Sequence, residues 1–223
     1  MSKFLILTDS ISNPRSFPIS EMTKLEETYP YIIRDYYKDS TFWQLSYGDI
    51  SSEQLFSQAI GYLSHWNPDI IIIQSGINDC KPEAFTEFQK TVINRFTGPL
   101  FRYIKRYVLH PKMIKHRQKY RVSKKSFMKS AKKIQVLYEN SMILWLEISA
   151  NVGYENARPG VRNRIKVYNK VIENIYSNDF IPINEKILKV DGFNKDSLHW
   201  NKRGHRAVAD ILLERINLHL NQE

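Results

Sequence analysis

The sequence predicts an α/β protein built on a parallel sheet of about five strands. Short apolar runs alternate with segments of helical periodicity along the chain, which is typical of a layered α/β fold. The clearest run spans residues 69–75 and contains four consecutive isoleucines. An apolar run without alternation is buried on both faces, as the strands of a parallel sheet are. The length of 223 residues suits one domain, which is predicted to span 1–223.

Local signals mark each element in turn. Strands are predicted at five apolar runs, which are residues 3–8, 42–45, 69–75, 142–148 and 180–183. Ser20 is expected to cap a short helix that ends near Thr28, and Ser51 with Gln54 forms a capping-box pattern at the start of another. Asn201 is expected to cap the last helix, in which apolar residues recur at helical spacing.

The net charge of +10 is concentrated in one segment of the chain. Residues 88–138 contain 15 Lys and Arg and no Asp or Glu, whereas the rest of the chain carries 18 basic and 23 acidic residues. A mildly acidic body is therefore predicted to carry a basic insertion or lid at about 94–133.

The cysteine content and the hydropathy of the chain indicate in which compartment the protein is located. The single cysteine, Cys80, excludes an internal disulfide and fits a reducing environment. The apolar run at 3–8 is too short for the core of a signal peptide, and no run approaches the roughly 20 residues of a membrane span. We therefore expect a cytoplasmic protein, which the basic segment could bring to a membrane surface as a peripheral protein.

The sequence predicts no cofactor and no metal. The six histidines lack the spacing of metal ligands, and no H-E-x-x-H motif is present. The eight glycines form neither a P-loop nor a G-x-G-x-x-G motif, so a bound nucleotide is not expected.

Polar residues follow the predicted strands in loops that should meet at one edge of the sheet. Ser10 follows the first strand, Gly48 follows the second, and Asn78 follows the isoleucine-rich strand. Ligands of an open parallel sheet bind at the carboxyl ends of the strands. A fourth loop, just before the last helix, carries Asp196 and His199 three positions apart.

These residue types in this arrangement can carry acyl transfer. Ser10 would be the nucleophile, His199 the base that takes its proton, and Asp196 the carboxylate that orients the imidazole. An oxyanion hole needs donors aimed at the developing negative charge. The candidate donors are the backbone N–H groups of Ser10 and Gly48 and the side-chain amide of Asn78. Glycine allows a close approach of its N–H, and asparagine donates without carrying a charge.

Four short blocks, in this order, resemble those of the SGNH (GDSL-type) hydrolases. They are T-D-S-I at 8–11, S-Y-G-D at 46–49, G-I-N-D at 76–79 and D-S-L-H at 196–199. The resemblance extends from residue 3 to about 212, although no block falls within the basic segment. It implies a three-layer α/β/α sandwich around a parallel sheet of about five strands.

The resemblance also implies that Ser10, His199 and Asp196 form the catalytic triad, with the oxyanion hole as described above. One position departs from the family pattern. Thr8 stands where a glycine usually precedes the nucleophile by two residues. A Cβ at this position is expected to shift the nucleophile turn or to narrow the site.

Three functional hypotheses remain open. The first is a serine esterase that removes a small acyl group such as acetyl, and the resemblance favours a carbohydrate or glycoconjugate substrate because the family often acts on these. The second is an O-acyltransferase, in which a sugar hydroxyl intercepts the same acyl-enzyme. The third is a weakly catalytic protein that binds an anionic glycan, lipid or nucleic acid through the basic segment, and the departure at Thr8 is its support.

The basic segment has three interpretations of its own. It is a solvated insertion, a surface that attracts an anionic substrate or an acidic membrane, or a nucleic-acid contact. Nucleic acid is the least favoured partner because no recognition module is visible. Apolar residues interleaved with the basic ones would suit a membrane surface, and they are Phe101, Tyr103, Ile104, Tyr107, Val108, Met113, Ile114, Tyr120, Phe127 and Met128. The sequence does not indicate an oligomeric state.

Overall fold

A computed structural model describes residues 1–97 and 110–221 of the chain. Its five strands are β1 (Lys3–Thr8), β2 (Thr41–Ser46), β3 (Ile70–Gln74), β4 (Met142–Leu146) and β5 (Phe180–Ile181). They form one sheet in the order β2-β1-β3-β4-β5, and every neighbouring pair is parallel. The predicted fold class is therefore confirmed, and all five predicted strands are present. The last two strands end two residues earlier than predicted.

Ten helices accompany the sheet in the described residues. They are α1 (Tyr29–Tyr36), α2 (Ser52–Leu63), α3 (Ile77–Cys80), α4 (Glu87–Thr97), α5 (Pro111–Arg117), α6 (Lys124–Leu137), α7 (Tyr154–Ala157), α8 (Val161–Tyr176), α9 (Asn184–Lys189) and α10 (Lys202–Leu220). Helix α10 packs against α1 and α9, while α6 packs against α2 and α8. These two groups form the layers on either side of the sheet. None of the helices in the described parts of the chain is long and apolar enough to cross a membrane.

The centre of the sheet explains the isoleucine run. Every residue of β3 is buried, because β1 and β4 pair with its two edges and helices cover its two faces. Trp145 of β4 lies beneath one helical layer, where its ring contacts Phe56 of α2, Phe127 of α6 and Tyr176 of α8. Strand β2 is at the edge of the sheet and is only partly buried. Burial on both faces therefore holds for the strands that the sequence marks as purely apolar.

The helix predicted between Ser20 and Thr28 does not form. The chain makes two 3-10 turns there, at Ile19–Glu21 and Leu25–Glu27, and the first α-helix begins only at Tyr29. Thr23 instead exchanges two main-chain hydrogen bonds with Arg15, of 2.8 and 2.9 Å. The apolar residues of this stretch are exposed, so no buried stripe favours a helix over this pairing.

The described part of the basic segment packs firmly onto the body. Lys119 and Glu83 exchange two main-chain hydrogen bonds of 2.7 and 2.9 Å, and the Tyr168 hydroxyl donates to the carbonyl of Val122 at 2.5 Å. Helix α6 buries its apolar face in the core through Phe127, Ala131 and Ile134. Residues 98–109 lie outside the described residues, and with them half of the interleaved apolar residues.

Candidate active site

The sheet register brings three of the predicted loops together. Thr8 at the end of β1 lies opposite Ser46 of β2 on one side and Gln74 of β3 on the other. The three strands therefore end at the same level, and the loops that carry Ser10, Gly48 and Asn78 leave the sheet side by side. This is the carboxyl edge at which parallel sheets bind their ligands.

Ser10 begins a 3-10 turn directly after β1. Asp9 caps this turn, because its Oδ1 accepts hydrogen bonds from the Ile11 N–H at 3.0 Å and from the Gln74 side chain at 2.9 Å. Burial raises the pKa of Asp9 to about 6, although both of these donors favour the charged form. Asp9, the residue before Ser10, is thus fully buried and fixes the turn to β3.

Thr8 takes part in the nucleophile turn. Its side chain is fully buried, and its hydroxyl accepts a hydrogen bond of 2.6 Å from the Ser12 hydroxyl. The Ser12 hydroxyl also lies 3.1 Å from that of Ser46 at the end of β2. Thr8, which replaces the family glycine two residues before Ser10, therefore makes a polar contact within the turn.

His199 and Asp196 lie on the loop before α10. The Nδ1 atom of His199 is 2.7 Å from Asp196 Oδ2, and Asp196 Oδ1 accepts the backbone N–H groups of Leu198 and His199 at 3.0 Å each. One carboxylate thus holds both the ring and the main chain of the histidine. This contact fixes the imidazole orientation and leaves Nε2 directed to another partner.

The loop is fixed to α10 by close main-chain contact. Asn201 caps the helix, as predicted, and its side chain accepts the N–H groups of Arg203 and Gly204 at 2.9 and 3.2 Å. Gly192 lies so close to Gly204 that a Cβ built on it would stand 2.6 Å from the Gly204 Cα. The backbone of the loop therefore rests on the first turn of the helix, which sets the height of His199 above the sheet.

The two halves of the site meet at Ser10. Ser10 Oγ lies 3.3 Å from Nε2 of His199, although 189 positions separate the two residues in the chain. Together with Asp196 they form a continuous hydrogen-bonded chain of hydroxyl, imidazole and carboxylate. This geometry agrees with the order of roles that the sequence predicts, and it is the arrangement that activates a serine for acyl transfer.

A cation also reaches the carboxylate. Arg15 Nη1 is 2.6 Å from Asp196 Oδ2, the same oxygen that faces His199. Partial burial opposes ionisation of Asp196, but hydrogen bonds from His199, Arg15 and the loop backbone hold its pKa well below the ordinary value. Asp196 is therefore ionised throughout the neutral range.

The loop after β3 is joined to the loop after β2. Asn78 donates through Nδ2 to the carbonyl of Ile50 at 2.9 Å, and its Oδ1 accepts Lys81 Nζ at 2.8 Å. Asp79 accepts the N–H and the hydroxyl of Ser52 at the start of α2. Because an amide group carries two N–H bonds, the second one on Asn78 remains available for a ligand oxygen.

Gly48 is exposed at the rim of the site. A Cβ built on it meets nothing within 4 Å, so open space lies next to its backbone. Cys80, in contrast, is fully buried behind Asn78, and burial raises the pKa of its thiol far above the ordinary value. Cys80 directly follows the G-I-N-D block in the sequence, but its thiol is buried in the core and unreactive.

The sequence does not predict the roles of three cations near the site, which are Arg15, Lys81 and Arg121. Each is a cation that contacts a predicted site block, through Asp196 for Arg15 and through Asp49 for Lys81 and Arg121. Only Lys81 had a usable signal, since it follows the G-I-N-D block by two positions. Among the described residues, no group of three or more His, Cys, Asp or Glu could hold a metal ion.

Comparison with known families agrees with this architecture. The model of the GDSL-like lipase/acylhydrolase family matches residues 21–212, which include Gly48, Asn78, Asp196 and His199. The chain belongs to this family. The match begins after the T-D-S-I block, so the place of Ser10 comes from the geometry above. As a GDSL-family member the protein is an ester hydrolase of the SGNH type.

Solved structures of low sequence identity share the fold of this GDSL-family chain. A lipase/acylhydrolase from Enterococcus faecalis is 14% identical with a TM-score of 0.64, and the alignment covers 97% of this chain and 95% of that one. The esterase EstA from Pseudoalteromonas sp. is 19% identical with a TM-score of 0.58, covering 99% and 100%. An acetylxylan esterase from Geobacillus stearothermophilus is 15% identical with a TM-score of 0.63, covering 96% and 94%. No curated protein matches the chain significantly by sequence.

Proposed function

We propose that the protein is a serine esterase that removes a small acyl group, with Ser10, His199 and Asp196 as its triad. The observation that carries this proposal is the continuous hydrogen-bonded chain from the Ser10 hydroxyl through the imidazole to Asp196. Ser10 stands where parallel sheets bind ligands, and the family to which the chain belongs hydrolyses esters.

In the first half of the reaction, Ser10 Oγ attacks the ester carbonyl while His199 Nε2 takes the hydroxyl proton. The carbonyl oxygen becomes an oxyanion that accepts hydrogen bonds from the N–H groups of Ser10 and Gly48 and from the amide of Asn78. His199 then gives its proton to the leaving alcohol, and an acyl-serine remains. Asp196 stays ionised and stabilises the imidazolium between the two transfers.

In the second half, water replaces the alcohol. His199 takes a proton from the water, whose oxygen attacks the acyl carbonyl in the same oxyanion hole. Collapse of this intermediate returns the proton to Ser10 Oγ and releases the carboxylic acid. A sugar hydroxyl that took the place of water would make the same intermediate the donor for acyl transfer.

A polar cleft beside the site favours an acetylated carbohydrate over a lipid. The cleft has a volume of about 490 Å³ and begins at Asp49, the neighbour of Gly48. Its walls include the polar side chains of Glu53, Gln54 and Glu87, which can bind sugar hydroxyls. The acetylxylan esterase among the structural neighbours acts on a substrate of this class, which adds support by likeness.

Hydrolysis of p-nitrophenyl acetate, butyrate and octanoate tests the proposal. The wild-type protein should prefer acetate, Ser10→Ala should lose turnover at least about 1,000-fold, and Ser16→Ala, which alters an exposed serine nearby, should match the wild type. An acetylated xylo-oligosaccharide should also be deacetylated. Turnover that persists in Ser10→Ala would contradict the triad, and a preference for octanoate would contradict the small acyl group. Acetyl transfer to an added sugar would establish the transferase instead.

We also propose that α6 attracts an anionic surface such as an acidic membrane. Its exposed face carries five lysines, and none of them pairs with a carboxylate among the described residues: Lys124, Lys125, Lys129, Lys132 and Lys133. The apolar face of the same helix lies in the core, so the attraction would be electrostatic and without insertion of this helix.

Binding to vesicles with and without phosphatidylserine tests this surface. Substituting Lys125, Lys129 and Lys132 by Gln should abolish binding to the acidic vesicles at low salt. The matched control replaces three exposed lysines on other helices, Lys166, Lys186 and Lys189, and keeps the same net charge. Equal binding by both triple variants would show that net charge, and not α6, is responsible.

A further inference from the structure

Lys81 connects the loop after β2, which carries Gly48, to the loop after β3, which carries Asn78. Its side chain is 12% exposed, and its Nζ lies 2.5 Å from Asp49 Oδ1 and 2.8 Å from Asn78 Oδ1. Asn78 is therefore held at both ends of its amide, by Lys81 at the oxygen and by the Ile50 carbonyl at the nitrogen. Reversal of the amide would place two donors together at Lys81 and two acceptors together at Ile50, so this pair of contacts selects one orientation.

Asp49 follows Gly48 in a conformation that needs support. Its φ of +55° lies in the left-handed region, which costs a residue with a Cβ about 1 kcal/mol or more. Partial burial also opposes its charge, but hydrogen bonds from Lys81 and Arg121 hold the pKa of Asp49 below the ordinary value. The turn at Gly48 therefore depends on the two cations that bind the next residue.

Arg121 binds this residue from the basic segment. Its guanidinium donates to the main-chain carbonyl of Asp49 and lies 3.0 Å from Asp49 Oδ2. Glu87 Oε1, at 3.1 Å, and Glu83 Oε1, at 3.7 Å, hold the guanidinium from the other side. A contact to the carbonyl of Asp49 restrains the peptide that leaves the oxyanion turn, and not only its side chain.

We propose that Lys81, Asp49 and Arg121 are positioning residues that set Gly48 and Asn78 relative to each other as oxyanion donors. The inference rests on the proposed function. Gly48 and Asn78 belong to loops that follow different strands, and Ser10 belongs to a third, so the sheet alone does not fix the two donors to a fraction of an ångström. The ion pairs at Asp49 supply that restraint. The basic segment thereby contributes to the oxyanion hole through the contact of Arg121 with Asp49.

Lys81→Met and Arg121→Met test the inference with p-nitrophenyl acetate. Each should lower kcat about 10- to 100-fold and change KM less than threefold, since misplaced oxyanion donors weaken binding of the transition state alone. Arg121→Lys should recover part of kcat. The matched control is Lys90→Met, which breaks the ion pairs of Lys90 with Glu83 and Glu87 but leaves Asp49 untouched. Its kcat should stay within twofold of the wild type.

The inference would be overturned if Lys81→Met and Lys90→Met lost kcat equally. It would also be overturned if neither Lys81→Met nor Arg121→Met lost kcat. Absence of Ser10-dependent turnover in the wild type would instead contradict the proposed function. A second readout keeps the two apart. The side-chain amide signal of Asn78 in a ¹⁵N NMR spectrum, assigned by its absence from Asn78→Asp, should shift or broaden in Lys81→Met and stay in place in Lys90→Met. An unchanged signal in Lys81→Met would overturn the inference without reference to catalysis.

Discussion

Arg15 and His199 share one oxygen of Asp196: Arg15 Nη1 lies 2.6 Å from Oδ2, and His199 Nδ1 lies 2.7 Å from the same atom. The carboxylate that would stabilise the imidazolium in the proposed mechanism is thus partly neutralised by a permanent cation. The guanidinium also joins the loop of residues 15–23 to the loop before α10, so it restrains Asp196 from outside the proposed triad.

Arg15→Gln should lower kcat/KM about 3- to 10-fold, because the guanidinium no longer holds Asp196 in place against His199. Arg15→Lys should restore part of this loss. Turnover of p-nitrophenyl acetate measures the effect, with Arg206→Gln as the control because its ion pair with Asp210 involves neither Asp196 nor His199. Equal activity of Arg15→Gln and the wild type would show that the guanidinium does not support the proposed triad.

Gly48→Ala should separate activity from stability. The added methyl group meets no protein atom within 4 Å, so the melting temperature should stay within about 2 °C. The same methyl group occupies the space through which a carbonyl oxygen reaches the N–H, and kcat/KM should fall at least about 10-fold. Gly61→Ala on α2 is the control, since its Cβ is equally free and the helix should gain about 0.5–1 kcal/mol with unchanged activity. Equal activity of the two variants would remove Gly48 from the oxyanion hole.

Gly76→Ala should lower stability. Gly76 has a φ of +125°, and a Cβ there would lie 2.5 Å from Cδ1 of the buried Ile148. We expect a loss of about 2–4 kcal/mol in the free energy of unfolding, measured by urea titration. Ile148→Ala in the Gly76→Ala background should relieve the clash but not the backbone strain. Additive losses in the double variant would contradict the predicted contact.

His205 should make the free energy of unfolding depend on pH. Its ring is buried against Tyr29 and Trp200, and burial, with His199 nearby, lowers its pKa to about 3. In the unfolded chain this histidine binds a proton near pH 6.5, whereas in the folded protein it stays neutral down to about pH 3. His205 therefore contributes its full stability above pH 6.5, and the free energy of unfolding falls as the pH drops from 6.5 towards 3. The wild type should therefore lose about 2 kcal/mol relative to His205→Gln between pH 7.5 and pH 5.

Urea titrations of both proteins at the two pH values give this difference directly. The comparison with His205→Gln is needed because Asp9 and Asp79 act in the opposite direction. Burial raises the pKa of each to about 6, so protonation of these carboxyls favours the folded state as the pH falls through 6. A constant difference between the two proteins would show that His205 is not kept neutral by its surroundings.

Sequence patterns predicted the central strands of the sheet because these are buried without alternation. The runs at 3–8 and 69–75 lie at the centre of the sheet, where burial on both faces leaves a clear apolar signal. The helix predicted at 20–28 was wrong because this stretch has a capping residue but no buried apolar face. The pairing of Thr23 with Arg15 is a contact between distant positions that local propensity does not reveal.

The residues proposed as the triad could be predicted because they lie in short sequence blocks, one after the first strand and one before the last helix. The cations around them could not be predicted. Arg15 and Arg121 reach Asp196 and Asp49 across gaps of 181 and 72 positions, and one arginine among many in a basic chain carries no sign of its partner. Thr8 was expected to shift the turn or to narrow the site, and its hydrogen bond from Ser12 was not predicted. Such contacts depend on the folded geometry and leave no pattern in the sequence.

The distance of 189 positions between Ser10 and His199 also has a consequence for biosynthesis. Ser10 is synthesised before β2 to β5, whereas Asp196 and His199 are synthesised only after all five strands. A nascent chain that ends at residue 195 holds β1 to β5 but lacks the imidazole and the carboxylate. In the proposed triad, the serine is therefore activated only when the loop at 196–199 has folded onto the completed sheet.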